Sequence, residues 1–246
     1  YDFNIIYEYK DYFTPYMYNI FSTPPIAFRE STSILASRNL HTIDFSNEYG
    51  YQVEINKTFD NSANMLFTYA YALHHRQYDD DQNIMLDDAF PYKQYYIETS
   101  KWSQRGKFYY RIGYDFYREK SISKNYFIKA YTIPMQYAYN FKTGNSLTFY
   151  VEMQRKTDER DNSKDNYYYF SPSYNHFGKW LLTLFVDSEE GTEQWYAMDY
   201  TVNLKNSSQI SMFYGSQKGG LVCANGSCVY QPDFEDGFKV IYRMSF

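Results

Sequence analysis

The sequence predicts an all-β chain, an antiparallel up-and-down transmembrane β-barrel of about twelve strands. Three observations carry that expectation. Apolar residues recur at every second position over stretches of roughly ten residues, connections alternate between short and long, and aromatic residues make up 22% of the 246 residues, with 32 Tyr, 20 Phe and 3 Trp. Side chains at alternate positions fall on one face of a strand, so each stretch makes a ribbon with one apolar and one polar side. Rings with one polar end gather where hydrocarbon meets water, which gives so much tyrosine a physical place.

Composition removes other classes. With 24 Lys plus Arg against 29 Asp plus Glu, a formal charge of -5 and a pI near 5.4, there is no basic excess, and nucleic acid is not an expected partner. A helical span needs about 18 or more consecutive apolar residues. The nearest run is 180–186, interrupted by Thr183. Mean hydropathy is -0.67 with 44% hydrophobic residues, so the chain is expected neither to be disordered nor to cross a membrane by helices.

Taken in order, strands are expected near 1–10, 49–59, 63–73, 93–102, 107–118, 126–141, 146–156, 166–173, 177–187, 194–204, 208–215 and 236–246. The clearest alternations are Met65, Phe67, Tyr69, Tyr71 and Leu73; Phe108, Tyr110, Ile112, Tyr114 and Phe116; Leu147, Phe149, Val151 and Met153; and Tyr196, Met198, Tyr200, Val202 and Leu204. Short connections are expected at 60–62, 103–106, 142–145, 174–176 and 205–207, and long or charged ones at 11–48, 74–92, 119–125, 157–165, 188–193 and 216–235. Tight turns on one side and larger loops on the other are the pattern of an outer-membrane barrel. A soluble β-sandwich also alternates, but its strands usually run to only about 5–6 residues. No internal repeat or linker interrupts 1–246, which reads as a single barrel domain, and an opening at Tyr1 without Met or leader is expected of a mature or truncated product.

Cys223 and Cys228 bracket Ala-Asn-Gly-Ser, a composition suited to a tight hairpin turn, so a cross-strand disulfide is expected and, with it, an oxidising compartment. A metal site is disfavoured because no His and no second cysteine pair is near. The carboxyl-terminal stretch Gly237-Phe238-Lys239-Val240-Ile241-Tyr242-Arg243-Met244-Ser245-Phe246 resembles the terminal assembly signal of bacterial outer-membrane barrels, carried by Phe238, Val240, Tyr242, Met244 and Phe246. Two further regions resemble an uncharacterised family of Bacteroidota outer-membrane β-barrel proteins. The first runs from Pro24-Pro25-Ile26-Ala27-Phe28-Arg29-Glu30-Ser31 through Asp44-Phe45 to Glu48-Tyr49-Gly50-Tyr51-Gln52; the second runs from Gly219-Gly220-Leu221-Val222-Cys223 through Cys228 to Phe246. The resemblance implies a barrel in the bacterial outer membrane, with outer-membrane lipid and the barrel-assembly machinery as partners, and no established activity. It also implies a longer amino end, so that this chain is expected to be the carboxyl-terminal part of a larger protein. Combined with the loop pattern, it places the final strand entering from outside, the long connections extracellular and the cysteine hairpin on the cell surface.

Chemical motifs are sparse. His41, His74, His75 and His176 are scattered; His74-His75 followed by Asp79-Asp80-Asp81 suggests a hydrolase at the barrel mouth only weakly against a solvated acidic loop. Asp79-x-Asp81-x-Asn83 opens like a calcium loop, yet Ile84 and Phe90 stand where Gly and Glu are needed, which leaves at most an adventitious divalent ion. No cofactor is expected. The lumen-facing charged residues are expected to be Glu54, Glu98, Arg111, Asp115, Lys129, Glu152, Asp199, Lys239 and Arg243, which either tune ions in an open pore or pair across a narrow lumen. The segment 11–48, with Tyr12, Phe13, Tyr16, Tyr18, Phe21, Pro24 and Pro25, is apolar for a solvated loop; it folds inward as a plug, packs on a partner, or packs on itself. The function expected is a non-enzymatic membrane anchor or scaffold for surface lipoproteins or other barrel subunits. The alternatives are a passive, porin-like pore for small solutes and, behind it, an outer-membrane hydrolase.

Overall fold

A computed structural model describes residues 3–13, 33–38, 47–74, 91–103, 105–120, 126–191, 194–204, 208–224 and 227–244. The strands are β1 (Phe3–Phe13), β2 (Asn47–Thr58), β3 (Ala63–His74), β4 (Tyr92–Trp102), β5 (Phe108–Lys120), β6 (Phe127–Asn140), β7 (Ser146–Asp158), β8 (Lys164–His176), β9 (Trp180–Glu189), β10 (Gln194–Asn203), β11 (Ser208–Gln217), β12 (Gly220–Ala224), β13 (Ser227–Gln231) and β14 (Phe234–Met244). Twelve of them form one antiparallel sheet in the order β1 to β11 followed by β14, each paired with its neighbour in sequence. The other two, β12 and β13, form a separate hairpin. One short helix, α1 (Ile34–Ser37), lies between β1 and β2 and was not expected from the sequence.

All twelve expected strands are present, and three details differ from expectation. Among the described residues β1 and β14 form no ladder with each other, so the sheet is open and not closed into a barrel. Phe3, Ile5, Ile6, Tyr7 and Tyr9 of β1 are exposed on both faces of that edge. Second, the turn after β8 is 177–179, beyond the expected 174–176, because Phe177 and Gly178 supply the positive φ and Lys179 N–H donates to His176 O at 2.8 Å. Third, the connections 159–163 and 190–193 are shorter than the expected 157–165 and 188–193, since β7 and β8 go on pairing as far as Thr157↔Lys164 and β9 and β10 as far as Ser188↔Gln194. The acidic residues of the connection expected to be long or charged close a tight turn: Asp158 Oδ1 accepts from Arg160 N at 2.8 Å and Asp161 Oδ1 from Ser163 N at 2.9 Å.

Two prolines interrupt the sheet locally. The β5–β6 ladder skips Gly113 and Tyr114, where Pro134 stands opposite, and the β8–β9 ladder skips Ser171 and Pro172. A proline has no N–H to give, so the pairing lapses and then resumes in the same register. Gly113 has its own reason: a Cβ there would lie 2.9 Å from Tyr96 Oη and 3.1 Å from Pro134 Cγ.

The two faces of the sheet differ in the reverse of the soluble sense. The enclosed face carries Thr132 and Glu152, both 0% exposed, with Asp115, Gln154, Asp187, Thr183 and Thr201, small residues such as Ala70, Ala72 and Ala130, and the tyrosines Tyr92, Tyr96, Tyr117 and Tyr169. The open face carries Ile97 at 45%, Ile112 at 47%, Ile133 at 38% and Leu184 at 45%. Polar groups are inside and aliphatic ones outside.

Candidate functional site

The densest side-chain network lies on the enclosed face of β6 to β9, where residues 33–38 are docked. Ser33 caps α1, its Oγ accepting from Ala36 N at 3.1 Å. The docking partner is Glu152, at the middle of β7 and on its enclosed side. Glu152 Oε2 accepts from Ser33 Oγ at 2.9 Å and Leu35 N at 2.7 Å; Oε1 accepts from Ile34 N at 2.7 Å and from the Tyr150 hydroxyl. Two donors on each oxygen suit an ionised carboxylate, which can only accept. The first backbone N–H groups of a helix have no partner within it, and Glu152 satisfies two of them.

Neighbouring strands complete the cradle. Gln154 Nε2 donates to Leu35 O at 3.0 Å and to Thr132 Oγ1 at 2.7 Å, and Leu35 is fully buried. Arg38 forms a two-pronged pair with Asp187 of β9, one arm at 3.2 Å. Beyond it Lys218 Nζ donates to Glu189 Oε2 at 2.5 Å and lies over the rings of Trp195 and Tyr167 at 4.7 and 5.1 Å. The same face continues to β4 and β5, where Tyr96 donates to Glu98, Arg111 Nε stands 3.9 Å from Glu98 Oε2, and Gln94 Nε2 donates to Asp115 Oδ1 at 2.7 Å. On β10 and β11, Thr201 Oγ1 donates to Asp199 Oδ1 at 2.9 Å and meets Ser211 Oγ at 2.8 Å. The arrangement binds a peptide segment by hydrogen bonds and ion pairs.

Of the charged residues expected to face inward, Glu54, Glu98, Arg111, Asp115, Glu152, Asp199, Lys239 and Arg243 lie on the enclosed side of their strands by ladder register. Lys129 does not. It is opposite Arg118 and Thr157 in the ladders, one position off the enclosed Ala130 and Thr132, and so projects from the open face, where Lys129 Nζ is 3.4 Å from Glu159 Oε1. The period of two moves any residue to the other face when its parity is read one place wrong. Phe238, Val240, Tyr242 and Met244 are exposed on one face of β14, while Phe246 lies outside the described residues. Cys223 and Cys228 are direct partners in the β12–β13 register, but their side chains lie outside the described residues. So do His41, His75, Asp79, Asp80, Asp81, Asn83, Ile84, Phe90 and residues 14–32, together with the side chains of His74, Tyr12 and Phe13. His176 is described and stacks on Trp180 at 5.2 Å.

Arg38, Asp187, Gln154 and Thr132 were missed by sequence reasoning. Asp187, Gln154 and Thr132 carried a usable signal, because each is a polar residue at the enclosed parity of its strand. Ser33-Ile34-Leu35-Ala36-Ser37 carried only a capping residue before a very short helix.

The profile of a family of unknown function, DUF6029, matches residues 4–246. No curated protein and no solved structure matches the chain.

Proposed function

With the chain belonging to that family of unknown function, we propose that its sheet is the wall of a bacterial outer-membrane β-barrel, and that the barrel is a non-enzymatic anchor or scaffold for surface-exposed partner proteins. The observation that carries the reading is the inverted exposure of the two faces: an aliphatic face open to the surroundings and a polar face enclosed. In water such a face is an aggregation hazard; against hydrocarbon it is the stable arrangement.

The order of residues along the open face supports the same reading. From the loop end to the turn end, β6 presents Lys129, Tyr131, Ile133, Met135, Tyr137 and Tyr139, and β5 presents Arg118, Phe116, Tyr114, Ile112, Tyr110 and Phe108. Rings cluster at both ends, Tyr69–Tyr95 and Phe116–Tyr131 at 4.8 and 5.0 Å and Phe108–Tyr139 at 4.8 Å. Tyr131 and Tyr139 are eight residues apart, about 27 Å along a strand and about 20 Å along the normal at a tilt of about 40°, near the ~25 Å apolar band of outer-membrane barrels.

An anchor is favoured over a pore because residues 33–38 occupy the enclosed face by means of Glu152 and Asp187, and because Arg38, Arg111 and Lys218 on that side are each paired with an acid, Asp187, Glu98 and Glu189 respectively. Disulfide formation between the facing Cys223 and Cys228 belongs to this proposal, and a non-reducing peptide map two hydrogens lighter than the reduced one would establish it. The function is tested by mild detergent extraction and planar-bilayer reconstitution of the full chain. Subunits that co-purify with a silent bilayer are the result expected. Stable stepwise conductance without companions would refute the scaffold in favour of the passive pore, and activity abolished by His74→Ala or Asp80→Asn would refute it in favour of a hydrolase.

A further inference from the structure

On the open face, cations line up across adjacent strands at the loop end. Lys93 of β4 is the ladder partner of Arg118 of β5, and Arg118 is the partner of Lys129 of β6. The row continues through Thr157 of β7 to Lys164 of β8, and Arg155 stands one step nearer the middle of the sheet. Directly opposite residues on one face are only about 5 Å apart at Cβ, and like charges placed so repel. The local acids do not balance them: Glu159 bridges Arg118 at 2.7 Å and Lys129 at 3.4 Å, Glu190 is drawn off by Asn166, and among the described residues neither Lys93 nor Lys164 has an ion pair. Arg118 is 43% exposed over its side chain although its guanidinium lies 4.0 Å from the Phe127 ring centre. The aromatic row Tyr69, Tyr95, Phe116 and Tyr131 lies two residues nearer the middle of each strand.

We propose that Lys93, Arg118 and Lys129, with Arg155 beside them, form a binding site for the phosphate groups of outer-leaflet lipid. The inference rests on the barrel reading above, which puts this face in lipid and this end at the outer leaflet. Charge complementarity selects the occupant: an anion is needed beside the row, and just beyond a ring girdle the groups at that depth are lipid headgroups. The aromatic row below sets the depth of the chains and the cation row meets the phosphates.

The test uses the full chain in phosphatidylcholine vesicles, alone or containing bisphosphorylated lipid A or its dephosphorylated form, with lipid retained through detergent exchange counted by mass spectrometry. The wild type is expected to keep the bisphosphorylated form and lose the other, with free inorganic phosphate failing to displace it. Each cation beside an anionic surface is worth about fivefold in affinity, so Lys93→Gln/Arg118→Gln/Lys129→Gln should lose about a hundredfold. Lys93→Arg/Lys129→Arg should keep the site. Equal retention of both lipid forms, or full retention by the triple variant, would overturn the proposal, as would displacement by free phosphate. Insertion into phosphatidylcholine alone, read from the heat-modifiable gel band, separates the premises: insertion without phosphate preference sinks only this site, whereas failure of the wild type to insert anywhere sinks the barrel reading as well.

Discussion

Glu152→Ala is the perturbation that most directly probes the enclosed face. It removes the acceptor for Ser33 Oγ, Ile34 N and Leu35 N, three hydrogen bonds of 2.7 to 2.9 Å reaching across the sheet interior. Hydrogen bonds to a charged group are worth about 1.5 to 3 kcal/mol each, and donors left buried without a partner cost about 1 to 3 kcal/mol. Because the segment is also held through Gln154 and Arg38, the losses do not simply add, and a docking loss of about 3 to 6 kcal/mol is expected. That is roughly a hundredfold or more in the equilibrium for lifting residues 33–38 off the strands. Hydrogen exchange of the Leu35 and Ala36 amides, measured on the folded protein in micelles, reports it directly. Glu54→Ala, on the same face of β2, should leave that exchange unchanged. Undiminished protection of Leu35 in Glu152→Ala would show that the carboxylate does not hold the segment, and the case for an occupied interior would go with it.

Ile112→Arg separates the lipid reading from a water-soluble sheet, because Ile112 is exposed at the middle of the apolar band. Against hydrocarbon the charge should cost about 2 to 4 kcal/mol; in water an exposed substitution should stay within about 0.5 kcal/mol, and a urea midpoint in vesicles decides. Gly113→Val should destabilise by about 1 to 3 kcal/mol despite the strand preference of valine, because its Cβ meets Tyr96 Oη and Pro134 Cγ; unchanged unfolding would mean Tyr96 has room to move. Glu159, in the turn after β7, is held below its usual value of 4.5 by its hydrogen bond from Arg118. Its folded-state value is depressed, so its contribution is complete above 4.5 and is lost as pH falls through the lower folded value. Thermal scans of wild type and Glu159→Gln should differ near neutrality and converge in acid; a gap that widens in acid would contradict the pairing.

The strands were legible because period-two patterning acts residue by residue: Phe108, Tyr110, Ile112, Tyr114 and Phe116 declare their face with no knowledge of their partners. The hairpin was legible for a similar reason, since Asn225 and Gly226 suit a turn that brings Cys223 opposite Cys228. Loop lengths were less so, because Asp158 and Asp161 look like a solvated run in one dimension and cap a five-residue turn in three. Lys129 shows the limit of the period itself, where one step of parity moves a charge from the enclosed face to the open one.

What the sequence determined alone is the antiparallel all-β wall and the chemical contrast between its faces, since both depend on neighbours two residues away. Tertiary structure decided what fills the enclosed side: Glu152 and Ser33 are 119 positions apart, and nothing in either stretch names the other. It also decided that β1 and β14 stay unjoined here, because closure depends on a ladder between distant strands, and local alternation is the same in a strand whose edge is paired and in one whose edge is free.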